Sequence, residues 1–149
     1  MSTNVRFVDK NPNAIKERKR LAQRPFVVKV GIQGTEATKR TAKGVSVLEI
    51  AVFNEFGTRT IPARPFVGGW YDANEAEAYQ KIKKGMQNVI ALKITTETLA
   101  EAVGIWASAG IQAFIANGVP PANAASTVRR KGSSMPLIDT GVRSEERRV

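Results

Sequence analysis

The chain has 149 residues, 42% of them hydrophobic and 24% charged, enough for one domain with its own core and too apolar for wholesale disorder. It contains neither cysteine nor histidine, which removes disulfides, thiolate chemistry, the commonest general base and the ordinary zinc ligands. The net charge of +10 points to an anionic neighbour: nucleic acid, a membrane surface or an acidic protein face.

Residues 1–13 show no apolar signal-peptide core, and residues 5–8 predict a short strand. Asn11-Pro12-Asn13 reads as a turn or helix start leading into a basic helix near residues 14–23, which Pro25 ends. Residues 25–33, PFVVKVGIQ, are the best strand in the sequence, rich in β-branched and aromatic side chains. The polar stretch 34–44 reads as a loop or hairpin tip. Ser46 and Glu49 then fit a capping box, with Ile50, Phe53 and Asn54 at helical spacing and Gly57 placed for a left-handed C-terminal cap. A strand reading of VSVLEIAVF stays open, because Val and Ile favour sheets.

Pro62 and Pro65 bias their neighbours toward extended geometry, so residues 58–66 predict an ordered non-helical connector, anchored in the core by Phe66 and Trp70. Tyr79, Ile82, Met86, Val89 and Ile90 fall on one face of a long helix with lysines opposite. A second helix is predicted over residues 96–117, with Leu99, Val103, Trp106, Gly110, Ile111 and Phe114 facing inward and Gly118 as its cap. Gly104 and Gly110 would let another helix approach closely, within the subunit or across an oligomer contact. The uncharged part, 102–116, is shorter than the roughly 20 residues a membrane span needs, so a buried helix and no membrane contact are the expectation. Residues 119–149 are polar, small and basic, and predict an exposed arm with a short ordered segment at 136–141. The expected architecture is one α+β domain over residues 1–149: a small sheet packed with two longer helices, plus an extended loop and the C-terminal arm.

Catalytic motifs fail on inspection. Asp139-Thr140-Gly141 after Leu137-Ile138 has the form of an aspartic-protease triplet. Such a site needs a second carboxylate sharing a proton, and a protease subunit needs its flap and most of its fold after the triplet, whereas eight residues follow Gly141 here. A turn is the better reading. Gly31-Ile32-Gln33-Gly34 with Lys39 does not have phosphate-loop spacing, and Glu49, with Glu55 as an imagined acid partner, already has a capping role. No enzyme activity, cofactor or metal is expected. The cations cluster at Lys16/Arg18/Lys19/Arg20/Arg24, Lys39/Arg40/Lys43, Lys81/Lys83/Lys84 and Arg129/Arg130/Lys131. No aromatics interleave with them, so solvated helix faces are the default over a single-strand groove.

Asn54-Glu55-Phe56-Gly57-Thr58, followed by Ile61-Pro62-Ala63-Arg64-Pro65-Phe66, is specific as a combination. Pro120-Pro121, Thr127, Lys131-Gly132-Ser133-Ser134 and Pro136-Leu137-Ile138-Asp139-Thr140-Gly141 follow in the same order. Together the two blocks resemble the neck, or tail-completion, proteins of tailed bacteriophages, over residues 45–141. The resemblance implies a small α+β subunit of a homo-oligomeric ring joining head to tail, built into the virion after assembly in the host cytoplasm. Its partners would be other neck, connector and tail proteins, with contact to the genomic DNA left open. Arg64 would pin a carboxylate such as Glu55 or one on a neighbour, and the Gly- and Ser-rich arm before Pro136 would order on docking. The family continues past its Asp-Thr-Gly into a final strand, whereas residues 142–149 lack alternating apolar positions. A sequence-independent nucleic-acid-binding protein and a tail terminator are the alternatives.

Overall fold

The computed structural model describes residues 12–22, 25–41 and 44–138. Every regular element among them is a helix: α1 (Pro12–Ala22), α2 (Gly34–Thr38), α3 (Val47–Phe56), α4 (Gly68–Ile90), α5 (Thr96–Ala116) and α6 (Ala125–Lys131). The expected α+β fold is therefore corrected to an all-helical one among the described residues. Residues 25–30 belong to no helix or strand, with Phe26, Val28 and Val30 half-buried and Pro25, Val27 and Lys29 exposed. The period-two alternation that predicts a strand is present, but among the described residues no neighbouring strand supplies a ladder. β-propensity reports fit to a half-buried pleated surface, not the presence of a partner. The one bridge among the described residues, Arg40 with Ser46, merely closes a turn before α3. The strand expected at residues 5–8 and the tail 142–149 lie outside the described residues.

The chain divides into two compact units, Met1–Val28 with Ala76–Val103, and Lys29–Glu75 with Gly104–Val149. The first contains α1 and a helical hairpin made from the end of α4 and the start of α5. Val89, Thr96 and Leu99 are buried there. Gly85 leaves room for Leu99, since a Cβ at Gly85 would lie 2.1 Å from Leu99 Cδ1. Thr95 opens α5 by accepting the Thr98 amide on its hydroxyl at 3.1 Å. Of the expected α4 face, Val89 is buried and Ile82 and Met86 half-buried, while Tyr79 and Ile90 are exposed.

The second unit holds the larger core: Phe66, Trp70, Ala107, Ile111 and Val119, with Val30, Ala51, Trp106, Phe114 and Leu137 among the side chains packed on it. The Trp70 and Trp106 rings lie 5.0 Å apart at 59°, a tilted geometry suited to their quadrupoles. The Trp70 indole lies over Gly110, where a Cβ would come within 2.5 Å of Nε1. The glycine expected to permit close packing does so within the subunit. Residues 119–138 are more structured than an exposed arm: Val119 is only 2% exposed. α6 ends on Gly132 in the left-handed region, with its amide donating to the Val128 carbonyl at 2.9 Å.

Candidate partner-binding site

The motif residues occupy the end of α3, the connector behind it and the segment after α5. The capping box of α3 is complete: the Glu49 amide donates to Ser46 Oγ at 3.1 Å, and the Ser46 amide donates to the Glu49 carboxylate at 2.7 Å. The Ser46 backbone first, and its hydroxyl second, hold the Glu49 carboxyl below the usual carboxylate range. Asn54 turns its Nδ2 onto the Ile50 carbonyl at 2.7 Å. Gly57 ends the helix at φ 74°, ψ 173°. The positive φ calls for glycine, but the chain leaves extended instead of in the left-handed helical cap expected. The connector doubles back here, so that a Cβ on Gly57 would lie 2.8 Å from the Ala63 nitrogen. Thr58 Oγ1 braces that turn, accepting from the amides of Thr60 at 3.3 Å and Ile61 at 3.1 Å.

Glu55 and Arg64 do not meet as expected. The Glu55 carboxylate accepts from the amides of Val67 at 3.0 Å and Gly68 at 2.8 Å. It thereby satisfies orphan donors at the positive end of α4. Arg64 is 6% exposed and donates through Nε to the Pro121 carbonyl at 2.8 Å. Longer contacts run from Nη2 to the Ala122 carbonyl at 3.3 Å and to Asn123 Oδ1 at 3.4 Å. Its own amide donates to the Asn54 carbonyl at 2.6 Å. The expectation that Arg64 pins Glu55 is thus corrected. Two aligned amides claim the carboxylate, and the planar guanidinium fork suits the converging carbonyls.

Arg64 consequently joins the two motif blocks. Asn123 extends the link, its Nδ2 donating to the carbonyls of Ser134 at 3.3 Å and Met135 at 3.1 Å. Lys131 Nζ donates to the same Met135 carbonyl at 3.3 Å. Phe66 and Pro136 are buried, Ile61 and Ile138 are half-buried, and Leu137 packs against the core at φ 63°. Phe56, Thr58, Pro62 and Pro65 are exposed. Asp139, Thr140 and Gly141 lie outside the described residues. Asn123 was not singled out by sequence reasoning, and only its place just after Pro120-Pro121 hints at it. A shallow pocket of about 270 Å³ adjoins this region, lined by Gly118, Val119, Pro120, Ala122 and Pro136. Its walls carry no titratable side chain, so it offers a socket for an apolar group and no chemistry.

The basic clusters are partly occupied by contacts within the chain. Arg20 pairs with Glu17 at 2.6 Å, Lys39 with Glu36 at 2.8 Å and Lys81 with Glu77 at 3.2 Å. These are exposed pairs within one turn of helix or its edge, the ordinary behaviour of a solvated face. Arg129 and Arg130 lie exposed in the last turn of α6. Among the described residues no three of Asp, Glu, His or Cys gather as a metal site. By length and composition alone α5 is apolar enough to cross a membrane, with a mean hydropathy of 1.4 over its best window. A mostly buried core helix passes the same test, but only 17% of this window is buried, so α5 is less enclosed than the buried helix expected.

Comparison with family models, with curated proteins and with solved structures finds no match to this chain.

Proposed function

We propose that the protein is a structural subunit of a tailed-phage virion, a ring-forming neck or tail-completion component without catalytic activity. The reading rests on the two motif blocks, and the observation that carries it is the Arg64 link. Residues 57 to 59 positions apart in the chain converge on one guanidinium. The blocks recognised in sequence thus behave as one construction whose outer residues, Phe56, Thr58, Pro62 and Pro65, remain available to neighbours. Partners of such a subunit are further copies of the chain and adjoining connector or tail proteins, with its excess positive charge facing acidic protein or packaged DNA.

A second reading is favoured by Arg129 and Arg130, which stand together at the end of α6. Their charge, within a chain of net +10, suits a phosphate backbone and sequence-independent nucleic-acid binding. Light scattering across a range of concentrations, with and without head or tail components, separates the two. A closed ring, or a smaller species converted to one by a virion partner, is the expected result. A chain that ignores those partners yet binds duplex DNA with a steep salt slope overturns the neck reading in favour of the second.

A further inference from the structure

α3 is apolar on nearly every side, yet it buries none of its residues within the subunit. Ala51 packs on the core, and Ile50 and Asn54 are half-buried on the same side. The opposite face carries Leu48, Val52 and Phe56 at i, i+4 and i+8, with Phe53 beside them. Their exposures are 45%, 44%, 77% and 39%. A helix apolar all round belongs in an interior. The other exposed large apolar side chains of the described residues are dispersed over other elements.

We propose that this face of α3 packs against the same face of a second copy of the chain, across a two-fold axis near Val52. Area supports the choice. At these exposures the four side chains present roughly 400 Å² of apolar surface. A standard interface buries about 800 Å² per partner, a little over half of it apolar, so two such faces supply the apolar centre of one. Charge supports it too. Residues 45–58 include Glu49 and Glu55 but no lysine or arginine, and Arg40, the cation beside the start of α3, acts on Glu49, so in a chain at +10 the apolar row itself carries no cation.

Glu55 is turned inward onto α4, and Glu49 is tied to Ser46. In an antiparallel crossing centred on Val52, the two Glu49 positions stand about 9 Å apart along the axis. The Leu48–Val52–Phe56 row is an i±4 ridge, which packs into its own counterpart at the commonest helix-crossing angle. Such a contact is self-complementary and makes pairs, whereas a ring closes through head-to-tail contacts. The inference therefore stands apart from the neck reading.

The chain has no cysteine, so single-cysteine variants report the contact without background. Under mild oxidation, at least one of Leu48→Cys, Val52→Cys and Phe56→Cys should form a covalent dimer about tenfold faster than Ser126→Cys on exposed α6, because only close Cβ pairs can be bridged. The wild-type chain should show at least twice the mass of one copy at micromolar concentration. Val52→Glu combined with Phe56→Ser should halve that mass while keeping its helical circular dichroism. A wild-type monomer throughout the micromolar range overturns the pairing, as does cross-linking at all three sites no faster than at Ser126→Cys. A multi-subunit mass without cross-linking at α3 also overturns it, while leaving the neck reading standing.

Discussion

Arg64 is a buried cation whose hydrogen-bond partners are carbonyl oxygens, not a carboxylate. Main-chain oxygens carry enough partial charge to hold a guanidinium that burial would otherwise penalise. The arrangement makes the residue hard to replace. Arg64→Met should lower stability by about 1–3 kcal/mol, since it removes the charge-assisted hydrogen bonds that tie the connector to residues 121–123. Urea unfolding followed by tryptophan fluorescence would measure it. Arg64→Lys should recover only part of the loss, because a point ammonium cannot reproduce the planar fork; full recovery would mean that charge alone matters.

At the scale of the element, α3 is held at its start by a titratable device. The Glu49 carboxyl lies below the usual carboxylate range because Ser46 donates to its charged form. A group depressed in the folded state stabilises fully above its unfolded pKa and loses that contribution as pH falls through the lower folded value. Helix content should therefore fall in the acid range below the ordinary carboxylate pKa. Glu49→Gln should flatten that part of the circular dichroism titration, and an unchanged titration would assign the effect to other carboxylates. The capping box, the 79–90 part of α4 and the helix at 96–116 are legible in sequence because their causes are local: a side chain three residues from its amide, apolar positions at helical spacing; the start of α4 at Gly68 is not. The absence of a sheet among the described residues is not legible, for the opposite reason. Residues 25–30 carry strand alternation, and whether a strand forms depends on a partner elsewhere in the chain. The Arg64 link was hidden likewise, since carbonyls of Pro121 and Ala122 leave no trace in residue type. α6 leaves no signal in sequence because its seven residues, ASTVRRK, show no apolar periodicity.

For the whole molecule, the two units differ in what they bury. One centres on Val89, Thr96 and Leu99, the other on Phe66, Trp70, Ala107, Ile111 and Val119 with the Arg64 link beside them. Local opening follows buried contact, so amides of the latter half of α5, around Ala107 to Ile111, should exchange with solvent more slowly than those around Leu99. Hydrogen exchange read by mass spectrometry would show the gradient, and equal protection along α5 would mean that the chain opens as a single cooperative body. The boundaries between the units have a consequence for any attempt to separate them. Two of the three fall inside helices, between Glu75 and Ala76 in α4 and between Val103 and Gly104 in α5. A shortened chain keeping one unit alone would inherit two severed helices, each with raw ends whose amides or carbonyls have nothing to cap them. The units are thus not interchangeable modules, and insertion, excision or grafting has no neutral seam along either long helix.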